Sequence, residues 1–348
     1  MFSQASFFNT IFGRNLIGEL PNFVHQPYLV VTMEDLWPIF KHHFDKNIAG
    51  PYFVKTLEYD DIVKDMASLP KFNSVIGLGG GQALDVAKIF AWHDRKPLFQ
   101  VPTSLATNAA FGHRAGMRFG SKVRYITYTV PEAVYIDFDV IQNGPKLLNR
   151  SGVCDVFCYH TAIYDWKLAH DRGKTEKQWP YDPGLCAESK AVLDSVVDKL
   201  DDIHALNETG IRALAAGLRW GGAAFHNAGW NPRHIEGIDH FLFYTLEYMT
   251  HKKFIHGLPV CLGIYIGSAL QENEPDKMLR LIQRAGVDIR PEAMDLTWDQ
   301  VAEGLRKLAW YVNEVGLWYT VASDKPVTEA FISTMRQQIY DAYQDWNK

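Results

Sequence analysis

The sequence predicts an α/β domain with a parallel sheet, followed by an all-helical domain. Three observations carry this. Up to residue 102, short apolar runs alternate with amphipathic segments at close spacing. After about residue 150, the periodic segments repeat every 3.6 residues, as helices do. Between two of the early segments stands the cluster GLGGG (77–81), where an apolar run passes into a helix. The expected domains are 1–150 and 151–348.

The elements follow in order. PYLVVT (27–32) reads as a strand, and MEDLWPIFKHHF (33–44) as a helix with Pro38 in its first turn or at a kink. GPYFVKTL (50–57) is a second strand and DDIVKDMASL (60–69) a helix with Asp60 near its N-cap. NSVIGLG (73–79) is the third strand, 82–93 the helix after it, and PLFQVP (97–102) the fourth strand. RYITYTV and AVYIDF, within 116–138, are rich in β-branched and aromatic residues and read as further strands. The stretch 150–173 reads as one long helix with Gly173 at its C-terminal end. Further helical segments follow, including TGIRALAAGLRWGGAAFH, FLFYTLEYMTHK, EPDKMLRLIQRAG and TWDQVAEGLRKLAWYVNEVG.

Composition narrows the function classes. With 348 residues there is room for two domains of ordinary size. The net charge of −5 is spread without long runs of one sign, so no nucleic-acid or anionic-membrane partner is indicated. The first residues lack a basic segment followed by an apolar one, and no secretory leader is expected. The apolar stretch 254–270 is interrupted by His256, Pro259 and glycines, which argues a buried element rather than a membrane span. Four scattered cysteines make no disulfide framework in a chain this long, and a reducing cytoplasm is the expected compartment.

Glycine is costly to order, so four glycines in five positions need a reason. A strand, a glycine turn and a helix N-terminus make an anion site, because first-turn N–H groups lack intrahelical partners and the helix dipole is positive there. The cluster fits neither GxGxxG nor GxxxxGK[ST]. From the residues alone, a tight packing turn stands beside the anion-site reading.

GGGQALDVAK (79–88) resembles the GGGSxxDxAK motif of the iron-containing alcohol dehydrogenase, glycerol dehydrogenase and glycerol-1-phosphate dehydrogenase superfamily. Three more pieces occur in the same order. VPTSLATNA (101–109) is similar to the family's VPT segment, AVYIDFDVIQNGP (133–145) to its V-x-x-D-x-D strand and turn, and GVCDVFCYHTAIYDWKLAH (152–170) to the G-x-G-D…YTA-x-x-DWKLA stretch of glycerol-1-phosphate dehydrogenases. The resemblance spans roughly residues 25 to 270. It implies a dehydroquinate synthase-like fold, with a Rossmann-like domain first and a helical metal-binding domain second. By position, Gly79, Gly80, Gly81 and Gln82 would take the dinucleotide pyrophosphate, and Asp85, Thr103, Ser104 and Thr107 would complete the cofactor set.

The resemblance also implies a metal. Asp155 follows SGVC, His240 ends EGIDH, which is similar to the family's SGSEH, and His256 opens the HG element. One carboxylate and two imidazoles with an open position suit a catalytic zinc. In the iron-dependent branch a histidine stands four residues after the aspartate. Here that residue is Tyr159, and His160 falls about 140° around the helix. Zinc is therefore favoured over iron. His251 reads as a surface residue, and Cys154 and Cys158 as small core residues.

Several departures bear on the substrate. Asn108 stands where the family carries an aspartate that reaches the substrate, which counts against plain glycerol and favours a substrate with its own negative charge. His113 is a candidate proton relay and Arg114 a candidate grip for phosphate or carboxylate, each with an ordinary loop role as the alternative. Met33 stands where many members place a ribose-binding aspartate, and no basic residue adjoins it, so NAD is favoured with NADP left open. The segment 219–237 is expected to line the cleft between the domains, where His226, Arg233 and His234 could reach ligand, with a core or loop role as the default for each.

The function implied is metal-dependent hydride transfer between NAD or NADP and a small-molecule alcohol or carbonyl, a polyol or polyol phosphate above all, in a homo-oligomer. A sugar-phosphate cyclase of the dehydroquinate synthase type is one alternative. It normally has a glutamate in place of Asp155 and a lysine soon after, whereas 156–160 is VFCYH. A non-catalytic nucleotide-binding relative is the other.

Overall fold

The computed structural model describes residues 9–44, 47–120 and 122–346. The start of the chain, where no leader is expected, lies mostly outside them. Two compact units form. The first comprises residues 1–149 with 206–229, and the second residues 150–205 with 230–348.

The first unit is built on a six-stranded parallel sheet in the order β1-β8-β5-β4-β2-β3. Its strands are β1 (Thr10–Gly13), β2 (Tyr28–Thr32), β3 (Ile48–Phe53), β4 (Ser74–Gly79), β5 (Leu98–Pro102) and β8 (Ala133–Asp137). Strands β2, β4, β5 and β8 are buried along their whole length, as parallel strands covered on both faces must be. Helices Tyr59–Met66 and Gly81–Asp94 are the crossovers leading to β4 and β5. An antiparallel hairpin of β6 (Ala115–Phe119) and β7 (Lys122–Ile126) stands apart from the sheet.

Three details differ from the sequence reading. The segment 33–44 is not one helix but a short helix, Trp37–Phe40, with Pro38 in its first turn, followed by a 3₁₀ turn, Lys41–His43. Strand β1 went unforeseen. The segment 150–173 divides into helices Cys154–Phe157 and Tyr159–Asp171, and Gly173 follows the second at φ +64°.

A fourth difference concerns the helix Glu208–Asn227. It belongs to the first unit, although the chain after 150 reads as one helical domain. The reason is a backbone-to-backbone approach. A Cβ on Gly222 would lie 2.7 Å from the carbonyl of Phe111. Small residues on this helix let it seat on the 3₁₀ turn Asn108–Phe111.

The second unit is helical. Its principal helices are Tyr159–Asp171, Pro183–Val197, Ile238–Thr250, Gly257–Gln271, Pro275–Arg284, Trp298–Val315 and Glu329–Ala342. The helix Gly257–Gln271 is almost wholly buried, which explains the apolar stretch read from the sequence. Thr297 and Gln300 form a reciprocal capping box at the head of Trp298–Val315. Among the described residues, no helix is long and apolar enough to cross a membrane.

Candidate functional site

In the first unit, β4 ends at Gly79 and the helix begins at Gly81, with Gly80 as its N-cap. Gly79 holds φ +153°, and a Cβ there would come within 2.8 Å of the Ala83 Cβ, so the turn demands glycine. Gly80 is in ordinary extended backbone and offers no side-chain cap. The first-turn N–H groups of this 14-residue helix thus keep the hydrogen-bonding capacity that an anion takes up. This fits a pyrophosphate.

The loop after β5 borders the turn. The Thr103 N–H donates to the Gly79 carbonyl at 3.0 Å. Asn149 holds the loop from within, accepting from the Leu105 N–H at 2.8 Å while its own amide donates to the Ile141 carbonyl. Thr107 Oγ1 accepts from the Ala109 N–H and caps the turn that begins at Asn108. Ser104 is buried, and Gln82, Thr103, Thr107 and Asn108 are half-buried. Positions 81 and 107 adjoin, because a Cβ on Gly81 would lie 3.2 Å from Thr107 Oγ1.

Asp85 turns inward. Its carboxylate accepts from Lys88 Nζ at 2.9 Å and from the Gly116 N–H at 3.0 Å. Lys88 is fully buried and also donates to the Arg114 carbonyl. Both Asp85 oxygens therefore serve the protein, pinning the segment 112–116. His113 is buried there, with its ring 4.4 Å from that of His226 and stacked on Tyr128 at 5.4 Å. Burial, then the neighbouring His226 and Lys88, push His113 down to about 4. It is neutral at neutral pH and a poor proton acceptor, which speaks against the relay role. Arg114 donates to the Tyr125 carbonyl.

In the second unit the three expected metal ligands meet, although 101 residues separate Asp155 from His256. Asp155 lies on the short helix Cys154–Phe157, His240 in the first turn of Ile238–Thr250, and His256 at the N-cap of Gly257–Gln271. Asp155 Oδ1 is 3.0 Å from His256 Nε2 and 3.8 Å from His240 Nε2. The imidazole rings are 5.3 Å apart. Gly257 permits this, since a Cβ there would lie 2.2 Å from the Ser151 carbonyl oxygen. Ligand bonds of about 2.0–2.1 Å in a tetrahedron separate donor atoms by about 3.3–3.4 Å. The two separations from Asp155 Oδ1 lie on either side of that value, so Asp155 paired with each imidazole suits a divalent ion of this size.

Residues beyond the three donors orient them. His240 Nδ1 is hydrogen-bonded to Asp239 Oδ1, which also accepts from the His240 backbone N–H at 2.8 Å. Asp239 is fully buried, and its other oxygen accepts from the Thr161 hydroxyl at 2.6 Å. With Nδ1 held by Asp239, Nε2 is the nitrogen that faces Asp155, the arrangement of a ligand histidine backed by a carboxylate. Burial works against the charged imidazole, yet the bond and charge of Asp239, with Glu236 and Asp155, hold His240 up at about 9. Asp165 fixes the helix that carries His240. Its carboxylate accepts from the Ile238 N–H at 3.0 Å, the Val321 N–H at 2.8 Å and the Gln271 amide at 3.0 Å. Burial, only partly offset by those bonds, pushes Asp165 up to about 7.

Sequence reasoning missed Asp239, Asp165 and the Asp85–Lys88 pair. For Asp239 a signal existed, since an acidic residue precedes the histidine in both EGIDH and SGSEH. Other expectations are met. His160 is turned to the Asn273 carbonyl, His251 is exposed, and Cys154 and Cys158 are buried. The segment 219–237 divides, with His226 in the first unit and Arg233 and His234 in the second. Arg233 is fully buried and donates to the Tyr319 and Asp165 carbonyls, which is a structural role.

Residues 42–145 match the family described as iron-containing alcohol dehydrogenase. The chain is 30% identical over 265 residues to the glycerol-1-phosphate dehydrogenase [NAD(P)+] of Pyrobaculum neutrophilum, covering 74% of this chain and 75% of that one. It is 25% identical over 321 residues to the Archaeoglobus fulgidus enzyme of the same name, covering 86% and 88%. Among solved structures, a probable glycerol dehydrogenase from Sinorhizobium meliloti superposes with a TM-score of 0.70 at 16% identity, covering 98% of both chains. These likenesses and the motifs that preceded them lead to one conclusion: the chain belongs to the iron-containing alcohol dehydrogenase superfamily, the group that includes the glycerol dehydrogenases and glycerol-1-phosphate dehydrogenases.

Proposed function

We propose that the chain oxidises and reduces a phosphorylated polyol of the glycerol-1-phosphate class, with Asp155, His240 and His256 holding one divalent ion. The coarser statement follows from the family: it is a metal-dependent, NAD(P)-linked oxidoreductase acting on a CH–OH group. The observation that carries the site assignment is the convergence of two imidazoles on one carboxylate oxygen, within 3.8 Å. When bound, the ion supplies Lewis acidity to the substrate oxygen and the nicotinamide supplies the hydride carrier. Zinc is favoured over iron, because a tyrosine occupies the place of the fourth protein ligand.

The chain's own residues do the rest. Gly79, Gly80, Gly81 and Gln82 present the helix N-terminus to the pyrophosphate, and Thr103, Ser104 and Thr107 border it. Asp85 supports this from behind through the segment 112–116. NAD is favoured over NADP, since Glu34 and Asp35 are exposed just beyond β2 and repel a 2′-phosphate. Asp239 and Thr161 keep His240 in one tautomer. Asn108 offers a substrate both donor and acceptor without the negative charge of an aspartate. That substitution and the names of the curated relatives support a phosphorylated substrate over glycerol.

A homo-oligomer in the cytoplasm belongs to the same reading. All four cysteines are free and buried, as a reducing compartment permits. Light scattering tests the assembly. The catalytic proposal is tested by following nicotinamide absorbance with glycerol-1-phosphate, glycerol-3-phosphate, glycerol and simple alcohols, and with the matching ketones. Turnover with a phosphorylated polyol and not with glycerol supports it. Preference for glycerol, unchanged in Asn108→Asp, overturns the substrate assignment.

A further inference from the structure

Cys154 stands beside the metal donors and not among them in any reading so far. It occupies the place of the second glycine in the G-x-G-D motif that SGVCD resembles, so this chain adds a sulfur there. The sulfur is fully buried and its S–H donates to Asp155 Oδ1 at 3.2 Å. That is the same oxygen His256 Nε2 approaches at 3.0 Å. Donor atoms of Cys154, Asp155 and His256 all lie within 4.8 Å of one another. His240 Nε2 lies 3.8 Å from the same oxygen.

We propose that Cys154 is a fourth ligand, recruited by soft divalent ions such as zinc, cobalt and cadmium. This rests on the metal reading above and deepens it. The thiol proton leaves to solvent as the sulfur–metal bond forms, so binding releases one proton from Cys154 with no change in oxidation state. A thiolate donor favours zinc over harder ions. With Cys154 bound, the ion would have four protein donors.

The neighbouring cysteines do not share this placement. Cys158 donates to the Ile235 carbonyl at 3.0 Å. It groups instead with Asp239 and His240, and Asp239 is already taken by Thr161 and the His240 ring. Cys261 joins neither group of converging donors among the described residues.

The test is the electronic spectrum of the cobalt(II)-loaded full-length protein. One cobalt per chain with a near-ultraviolet sulfur-to-cobalt charge-transfer band is expected. The band should vanish in Cys154→Ser with cobalt still bound, and persist in Cys158→Ser, Cys186→Ser and Cys261→Ser. Should Cys154→Ser fail to fold, persistence in the other three assigns the sulfur by elimination. One bound cobalt without the band overturns the ligand but leaves the three-donor site standing. A band that survives Cys154→Ser also overturns it. Failure to bind either cobalt or zinc overturns this inference and the metal reading together.

Discussion

The glycine turn of the first unit and the donor set of the second are built on opposite principles. The turn is a backbone device. Its specificity lies in what is missing, a Cβ at Gly79 and a capping side chain at Gly80, and its parts are contiguous in sequence. The donor set is a side-chain device. It draws on three helices, and a buried network of Asp239, Thr161, Asp165 and Gln271 holds one donor in register. A backbone site is therefore broken by adding atoms, and a side-chain site by removing them.

The largest effect should come from removing a donor. His256→Ala or Asp155→Ala should reduce turnover to background, while dinucleotide affinity, read by nicotinamide fluorescence, stays within about twofold because uniform binding is untouched. Equal losses in both readouts would erase the distinction between the two sites.

The converse change adds atoms to the turn. In Gly80→Asp the new Cβ meets only Ser104 Oγ at 3.7 Å, so the fold accepts it. Aspartate is also a better N-cap than glycine, and the melting temperature should not fall. Its charge sits at the proposed pyrophosphate site, and dinucleotide affinity should drop by at least about tenfold through repulsion and lost N–H donors. Bound zinc should remain at one per chain. Unchanged cofactor affinity would contradict the anion-site reading.

Asp239 sharpens the other side. Asp239→Asn keeps the shape but removes the charge behind His240. Zinc affinity, measured by competition with a chromogenic chelator, should fall about 10–100-fold, the usual cost of losing such a partner. Asp239→Glu should recover part of it. Equal affinity in all three proteins would reduce Asp239 to a packing residue.

The smallest effect concerns pH. His113 is held down to about 4, against an ordinary 6.5, chiefly by burial. As pH falls below 6.5 the unfolded chain takes up this proton and the folded chain does not. Stability contributed by neutral His113 is thus present above 6.5 and lost as pH falls toward 4. Urea denaturation across that window should show a shallower slope in His113→Gln. An unchanged slope would place His113 in a wetter setting than the structure does.

The same contrast decides what the sequence reveals. The parallel sheet is legible because β2, β4 and β5 are local runs with clear boundaries, and the turn is legible because its glycines adjoin. Strand β1 is not, being four residues long, half-buried and held by pairing with β8, more than 120 residues away. The helix Glu208–Asn227 shows its period but not its unit, which depends on Gly222 meeting Phe111. Asp155, His240 and His256 emerge only through resemblance, since nothing in their spacing says they meet. The buried partners Asp239 and Asp165 depend on which helix faces cross, and those follow from packing across long separations.

The central claim is that one divalent ion held by Asp155, His240 and His256 is required for nicotinamide-linked turnover. Its most direct test is metal content and activity on the same sample, before and after removal of the ion by a chelator. One zinc per chain, activity lost with the ion and restored by zinc, and neither metal nor activity in His256→Ala are the results predicted. Full turnover in demonstrably metal-free protein would contradict it.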